Sequence, residues 1–305
     1  MGAKKRYLVV GTGAIGSLVA ELLAADGHTV TTISRRGTGP KSPRITNVAG
    51  SANDAVLLTM HAKDAAAIFN CVNPPYNRWP QEWPAIGAAH LVAAEKSGAV
   101  LVTLSNLYAY GVPSGSLTTD TPLRATYAKG QVRGQIWLDA KAAHDARKVR
   151  VAEVRASDFI GPKAFSTITR LVPSILAGKN VQTLGSADAP HTWTYTVDVA
   201  QTLIECANNK AAWGKAWHVP SNAPRTQRQV INDLADAAGV KHVGVSVVPK
   251  PLLRLLGIFS SAMRELPITL YQFEKPFVMD DAATRKELGL KPTPWSAVLK
   301  ATVGK

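Results

Sequence analysis

Three glycines spaced as Gly-x-Gly-x-x-Gly, at positions 11, 13 and 16, follow the apolar run Tyr7-Leu-Val-Val10 and precede a helix-like stretch from Ser17 to Asp26. A second apolar run, Thr29 to Ile33, comes next. Strand, tight turn, helix and second strand in that order make a βαβ unit, which requires a parallel sheet. The first glycine permits the turn and the second lets an anion approach the backbone. The third lets helix and strand pack closely, while the helix N-terminus favours negative charge. Gly11, Thr12, Gly13, Ala14, Ile15 and Gly16 are therefore the candidate contacts for the pyrophosphate of a dinucleotide.

The second strand ends in Ser34-Arg35-Arg36. A carboxylate there would accept from the ribose 2′-hydroxyl of NAD and repel a 2′-phosphate, whereas two guanidinium forks suit that phosphate. NADP(H) is the expected cofactor. The competing reading is a solvated basic loop running on through Gly37-Thr38-Gly39-Pro40-Lys41.

The chain has 305 residues, enough for a full α/β core with room for a second lobe. Apolar residues at 46% and charged residues at 18% describe a globular protein. The net charge of +14 raises the question of nucleic acid or an anionic membrane, but the cations are scattered, with no run of five or six. Attraction of an anionic cofactor or substrate is the smaller claim, with neither nucleic acid nor membrane as partner. Cys71 and Cys206 match no metal spacing and read as buried, reduced thiols. Lys4-Lys5-Arg6 resembles the start of a signal peptide, yet the following apolar residues belong to the strand, and a cytoplasmic protein is expected, monomer or homodimer.

Alternating patterns continue. Strands are expected over Arg44–Val48, Ala65–Val72, Ala99–Leu104 and Val149–Arg155, with helices over Pro84–Ser97 and Ala128–Lys148. In the second half, helices are expected over Phe165–Ala177, Val197–Asn208, Gln227–Ala238, Pro251–Met263 and Ala282–Leu288. Short strands are expected over Trp193–Thr196, Ala216–Val219 and Phe277–Met279. The fold class is α/β, a doubly wound parallel (Rossmann) sheet over residues 1–162 with a smaller C-terminal substrate lobe over 163–305. Residues of roughly 190–219 should pack back onto the sheet.

Several segments carry a family resemblance. Tyr110-Gly111 follows the fifth strand, and Arg155-Ala-Ser-Asp-Phe-Ile-Gly161-Pro162 follows the sixth. Trp193-Thr-Tyr-Thr-Val-Asp198-Val-Ala200 and Phe277-Val-Met-Asp280…Leu288-Gly289-Leu290-Lys-Pro292 complete the set. In this order they resemble the short-chain dehydrogenase/reductase superfamily, in its extended or atypical branch of NAD-dependent epimerase/dehydratase type. The resemblance implies a nicotinamide site that includes Asn73, Ser157 and Phe159. It also implies a catalytic Ser/Thr, Tyr and Lys, the last two one helical turn apart.

This chain departs from that pattern. Four residues before Tyr110 stands Asn106, which can donate to a carbonyl but cannot relay a proton. Counting forward from Asp120-Thr121-Pro122, the family spacing lands on Lys129 and Arg133, and the competing pair is Tyr127 and Gln131. Lys129, Tyr108, Asn106 and Tyr127 are the candidate catalytic residues, and Arg133 is a candidate for the nicotinamide ribose or a phosphate. Tyr110 and the Asn73-Pro74-Pro75-Tyr76 loop are further candidates near the same rim, and Trp79, Trp83, Trp193 and Tyr195 are candidates for a pocket wall or for plain packing. The histidines show no metal spacing, and Leu252, Leu255, Ile258, Phe259 and Met263 suggest an apolar ligand. The leading expectation is an NADPH-dependent oxidoreductase acting on a carbonyl or activated double bond. A nucleotide-sugar epimerase or dehydratase holding NAD(P), and a non-catalytic NADP-sensing protein, are the alternatives.

Overall fold

The computed structural model describes residues 3–249, 251 and 267–304. Its centre is a seven-stranded sheet of β1 (Arg6–Val10), β2 (Thr29–Ser34), β3 (Ile45–Ala49), β4 (Ala65–Asn70), β5 (Val100–Asn106), β6 (Val151–Ala156) and β10 (Ala216–His218). Their order is β10-β6-β5-β4-β1-β2-β3, and every pairing is parallel. The inner strands carry near-continuous apolar runs because both faces are covered, as parallel sheets require. Chain direction across the sheet reverses between β1 and β4, which opens a crevice beyond their carboxyl ends.

Helix α1 (Ala14–Ala25) buries Ile15, Val19 and Leu23, one stripe at helical spacing, and packs against α6 (Thr196–Asn208). The other face carries α2 (Ala55–Ala62), α3 (Trp79–Ser97) and α4 (Ala128–Asp145). A second core brings together Ile160, Ile175, Val181, Trp193, Ile231, Phe273 and Val298. It is built from β7 (Asp158–Ile160) paired with β9 (Trp193–Tyr195), and β8 (Val181–Thr183) paired with β11 (Val245–Val247). Its helices are α5 (Val172–Leu176), α7 (Gln227–Ala238), α8 (Tyr271–Glu274) and α10 (Trp295–Val303), whereas α9 (Ala282–Leu288) packs against β10, with Leu288 in the core of the main sheet.

Three segments depart from the sequence reading. The helix expected to open at Pro84 begins at Trp79, with Pro84 inside it. An interior proline costs roughly 3 kcal/mol, whereas burying a large apolar side chain returns roughly 1.5–3 kcal/mol. Trp79 and Trp83 are both buried and offset that loss. The helix expected over Phe165–Ala177 shrinks to α5 and a short turn at Thr169–Leu171. Ser166 and Thr169 exchange side-chain bonds with each other's backbone N–H, which delays the helix and leaves Phe165 86% exposed. The expected strand Phe277–Met279 makes only isolated bridges, Phe277 to His191 and Met279 to Leu117. The helix expected over Pro251–Met263 lies outside the described residues, apart from Pro251.

Candidate active site

The glycine turn lies at the mouth of the crevice. Gly11 N–H donates to the Ile33 carbonyl at 2.8 Å, and Cys71 N–H donates to the Val10 carbonyl at 2.9 Å. Gly11 has φ +94°, and a Cβ on it would lie 2.7 Å from the Cys71 carbonyl oxygen. A Cβ on Gly16 would overlap the Gly11 carbonyl oxygen. Both positions thus require glycine for the fold itself. Gly13 differs, since a Cβ there would meet nothing within 4 Å. It caps α1 without a side-chain hydrogen bond, so open space adjoins the first-turn N–H groups. Such a cradle fits a pyrophosphate.

Beside it, Thr12 Oγ1 (2.7 Å) and Ser34 Oγ (2.8 Å) both donate to the Thr38 carbonyl, and Asn47 holds the Pro40 carbonyl at 3.0 Å. The 37–40 loop is thereby pinned against the turn. Arg35 and Arg36 are exposed at the end of β2 and enter no ion pair among the described residues.

Along the same edge, β5 ends at Asn106, whose Oδ1 accepts from Tyr108 N–H at 3.1 Å. Tyr127 caps α4. Lys129 and Arg133 follow on the buried face of that helix, while Gln131 is exposed. Lys129 Nζ lies 3.9 Å from the centre of the Tyr76 ring. Arg133 stacks over Trp83 at 4.1 Å and donates from Nη2 to the Leu104 carbonyl at 2.7 Å. Its Nε and Nη1 are buried with no partner among the described residues. Burial lowers the Arg133 pKa to about 10, so it stays charged near neutrality.

The Tyr76 ring beside Lys129 belongs to a cluster of phenols. The Tyr76 hydroxyl lies 3.4 Å from that of Tyr108, and the Tyr127 hydroxyl 2.9 Å from that of Tyr271. Tyr127 also donates to the Tyr108 carbonyl at 3.2 Å, and Tyr76 reaches Thr269 at 3.4 Å. Burial holds the pKa values of Tyr108, Tyr127 and Tyr271 above that of an ordinary phenol, so all three are neutral hydrogen-bond donors near pH 7. Trp79 and Trp83 form the floor, packed with Ile86 and Ile136. Asn73 is exposed on the loop after β4; Ser157 N–H donates to Thr194 Oγ1 at 3.1 Å; Phe159 leans on the sheet core.

A second polar network lies deeper. Arg155 pairs with Glu153 at 2.7 Å and donates to the Tyr110 hydroxyl at 2.6 Å. That hydroxyl lies 2.7 Å from His218 Nε2, and His218 Nδ1 lies 2.7 Å from the Asp280 carbonyl. Burial lowers the His218 pKa to about 4, so the ring is neutral, with its proton on Nδ1 and Nε2 accepting from Tyr110. Asp198 is equally buried and accepts from Thr293 N–H (2.9 Å) and Oγ1 (2.6 Å).

Thr269, Tyr271, Gln272 and His191 were not singled out from sequence as site residues, whereas the loop that carries Tyr76 was. The loop after β4 and the segment before α8 show no periodicity that would bring them together. A surface cleft of about 550 Å³ lies elsewhere, between α7 and α10. Its Arg225 is already paired with Asp233 at 3.2 Å and stacked on Trp295. The described residues include no helix long and apolar enough to cross a membrane and no group of three His, Cys, Asp or Glu placed to hold a metal.

Known structures match the chain over nearly its full length. A double mutant of DesIV, the dTDP-glucose 4,6-dehydratase of Streptomyces venezuelae, is 21% identical with a TM-score of 0.79, over 98% of this chain and 96% of that one. That protein was solved with NAD bound. UDP-glucose 4-epimerase of Thermotoga maritima is 15% identical with a TM-score of 0.79, over 98% and 97%. WbmH of Bordetella bronchiseptica, in complex with NAD+, is 18% identical with a TM-score of 0.75, over 99% and 98%. No curated protein sequence matches. The model of the NAD dependent epimerase/dehydratase family matches residues 7–219. With the sheet order, the glycine cradle and more than half of the chain matched, this protein belongs to the NAD dependent epimerase/dehydratase family.

Proposed function

We propose that this protein binds a nicotinamide dinucleotide against the glycine turn and transfers hydride at an oxygen-bearing carbon of a small organic molecule. One observation carries the reading. The glycine cradle and the cluster of Lys129, Tyr76, Tyr108 and Tyr127 open on the same carboxyl edge of the sheet. When bound, the cofactor supplies a hydride donor or acceptor. The first turn of α1 holds its pyrophosphate, and Arg133 offers two unpartnered N–H groups to its ribose or phosphate oxygens. The neutral phenols donate to the substrate oxygen and exclude water. Lys129, buried among them, places a positive charge near the oxygen where negative charge develops.

Family membership and the full-length likeness to a dehydratase and an epimerase favour a redox-neutral cycle, in which the substrate that gives up hydride takes it back. A nucleotide-linked sugar is then the substrate class. A second reading, net reduction by NADPH, is favoured by Arg35 and Arg36, which suit a 2′-phosphate.

Denaturing the purified protein and identifying the released nucleotide by mass distinguishes the two. Co-purified cofactor, with epimerisation or dehydration of nucleotide sugars and no net change at 340 nm, supports the first reading. Steady NADPH oxidation across a carbonyl and enone panel supports the second. Neither a bound dinucleotide nor any turnover would overturn both.

A further inference from the structure

The pair Asp158 and His191 lies beside the phenol cluster and has no part in the scheme above. Asp158 opens β7, two residues past the end of β6, on the same edge as Asn106 and Tyr108. β7 pairs with β9 so that Asp158 is opposite Trp193, which brings His191 alongside. His191 Nε2 lies 3.0 Å from Asp158 Oδ2 and 3.4 Å from Ser157 Oγ. Its Nδ1 lies 3.0 Å from the Gln272 carbonyl oxygen. A carbonyl oxygen only accepts, so Nδ1 carries a proton. Nε2 then faces a carboxylate oxygen, and two bare lone pairs at that distance would repel. The geometry therefore calls for one further proton between Nε2 and Oδ2, shared by the pair.

The surroundings give that proton one way out. The imidazole is 1% exposed, stacked on Phe273 at 4.9 Å and Phe277 at 5.4 Å, and tilted against Trp193 at 4.6 Å. Asp158 is 25% exposed, and its Oδ1 makes no hydrogen bond among the described residues. The groups that face the pair are thus Ser157, Tyr108, the Gln272 carbonyl and three aromatic rings. Gln272 links the pair to the phenols, because its side chain also reaches the Tyr108 hydroxyl. The charge of Asp158 is one of the causes that hold the Tyr108 proton in place.

We propose that Asp158 is the proton-transfer group of this site, with His191 as the positioning residue that stores its proton. The substrate oxygen gives its proton to Asp158 Oδ1: the O–H bond breaks and an Oδ1–H bond forms. The shared proton moves fully onto His191 Nε2, so the carboxyl never carries two protons. In the reverse direction the same atoms return the proton. Neither Tyr nor Lys is then needed at the helix α4 positions for acid–base chemistry, and a phenol cluster locked in its neutral form is free to bind and orient. The use of this proton in turnover rests on the hydride-transfer reading; the shared proton itself does not.

Two arms keep these apart. Nitrogen-15 NMR of histidine-labelled, cofactor-free protein reads the ring directly, with His191→Gln to assign the signal. The expected result is Nδ1 protonated throughout and a proton shared at Nε2, with Asp158→Asn converting the ring to the neutral Nδ1–H form. A ring with bare Nε2 in the wild type, or a spectrum unmoved by Asp158→Asn, overturns the stored proton. The second arm takes the reaction identified by the cofactor and substrate assays. Asp158→Asn should lower kcat at least a hundredfold with KM within a few-fold, and Asp158→Glu should restore part of it. His191→Gln should shift the pH profile of kcat while retaining measurable rate. An unchanged kcat in Asp158→Asn overturns the proton-transfer role whatever the NMR shows. Absence of any turnover in the wild type overturns that role together with the hydride-transfer reading, and leaves the NMR arm to decide the pair.

Discussion

The guanidinium of Arg133 lies 4.1 Å over the ring of Trp83, yet two of its nitrogens are buried without partners. Two unsatisfied buried polar groups cost about 2–6 kcal/mol, and a desolvated cation–π contact with the hydrogen bond to the Leu104 carbonyl returns about 3–5 kcal/mol. The two effects nearly cancel, as expected of a residue proposed to serve binding rather than stability. Arg133→Met, which keeps the aliphatic volume, should leave the melting temperature within a few degrees. It should weaken dinucleotide affinity at least tenfold by titration calorimetry. A large drop in Tm with unchanged affinity would make Arg133 a structural residue.

The glycines of the first turn should separate in the same two measurements. Gly13→Ala should fold normally, since its Cβ meets nothing, but should bind dinucleotide weakly because the added methyl occupies the phosphate's space. Gly16→Ala should lose several kcal/mol of stability, because its methyl overlaps the Gly11 carbonyl oxygen.

Arg35 and Arg36 give a direct reading of cofactor preference. Replacing both with serine should weaken NADP+ binding roughly tenfold to a hundredfold, the value of charge-assisted hydrogen bonds. NAD+ affinity should stay within about twofold, and the NADP+ effect should shrink as salt rises. Equal losses for both cofactors would reduce the pair to a general electrostatic role.

Removing the Tyr110 hydroxyl should be costly. Tyr110→Phe leaves Arg155 Nη1 and His218 Nε2 unpaired in the interior, where Arg155 Nη2 already lacks a partner. About 2–4 kcal/mol of unfolding free energy should be lost in urea denaturation.

Acid sensitivity should follow from two buried histidines. Burial lowers His90 and His218 from the ordinary 6.5 to about 4, so the folded state binds fewer protons than the unfolded one. Their contribution is complete above pH 6.5 and is lost as pH falls through 4, about 3 kcal/mol each. His90→Leu should flatten the fall in unfolding free energy between pH 6.5 and 4 by roughly half, and an unchanged slope would count against it.

Legibility from sequence followed periodicity. Gln227–Ala238 and Ala282–Leu288 form helices with the expected bounds, and Thr226 and Gln229 close a reciprocal cap on the first of them. Helix α2 went unread because it is apolar all round, with Val56 and Met60 left on the surface, so no stripe announces it. The glycine turn was legible because glycine is demanded locally, by backbone geometry within one turn. The assembly of the phenol cluster was not. Tyr76 comes from the loop before α3, and Tyr271 from 142 positions further along the chain than Lys129, and only tertiary packing brings them together. His191 looked structural because its chemistry depends on a carbonyl and a carboxylate that no local pattern joins to it.

The seventh strand has a consequence for synthesis. β10 contributes only Ala216 to His218, yet it seals the open edge of β6, and His218 ties that edge to the Asp280 carbonyl. A chain still emerging from the ribosome therefore presents an unpaired outer edge of β6 until some 65 further residues have been made. Parallel pairing over that separation is slow. The nascent first half should be the species that chaperones hold, and fragments ending between β6 and β10 should recover poorly from the soluble fraction.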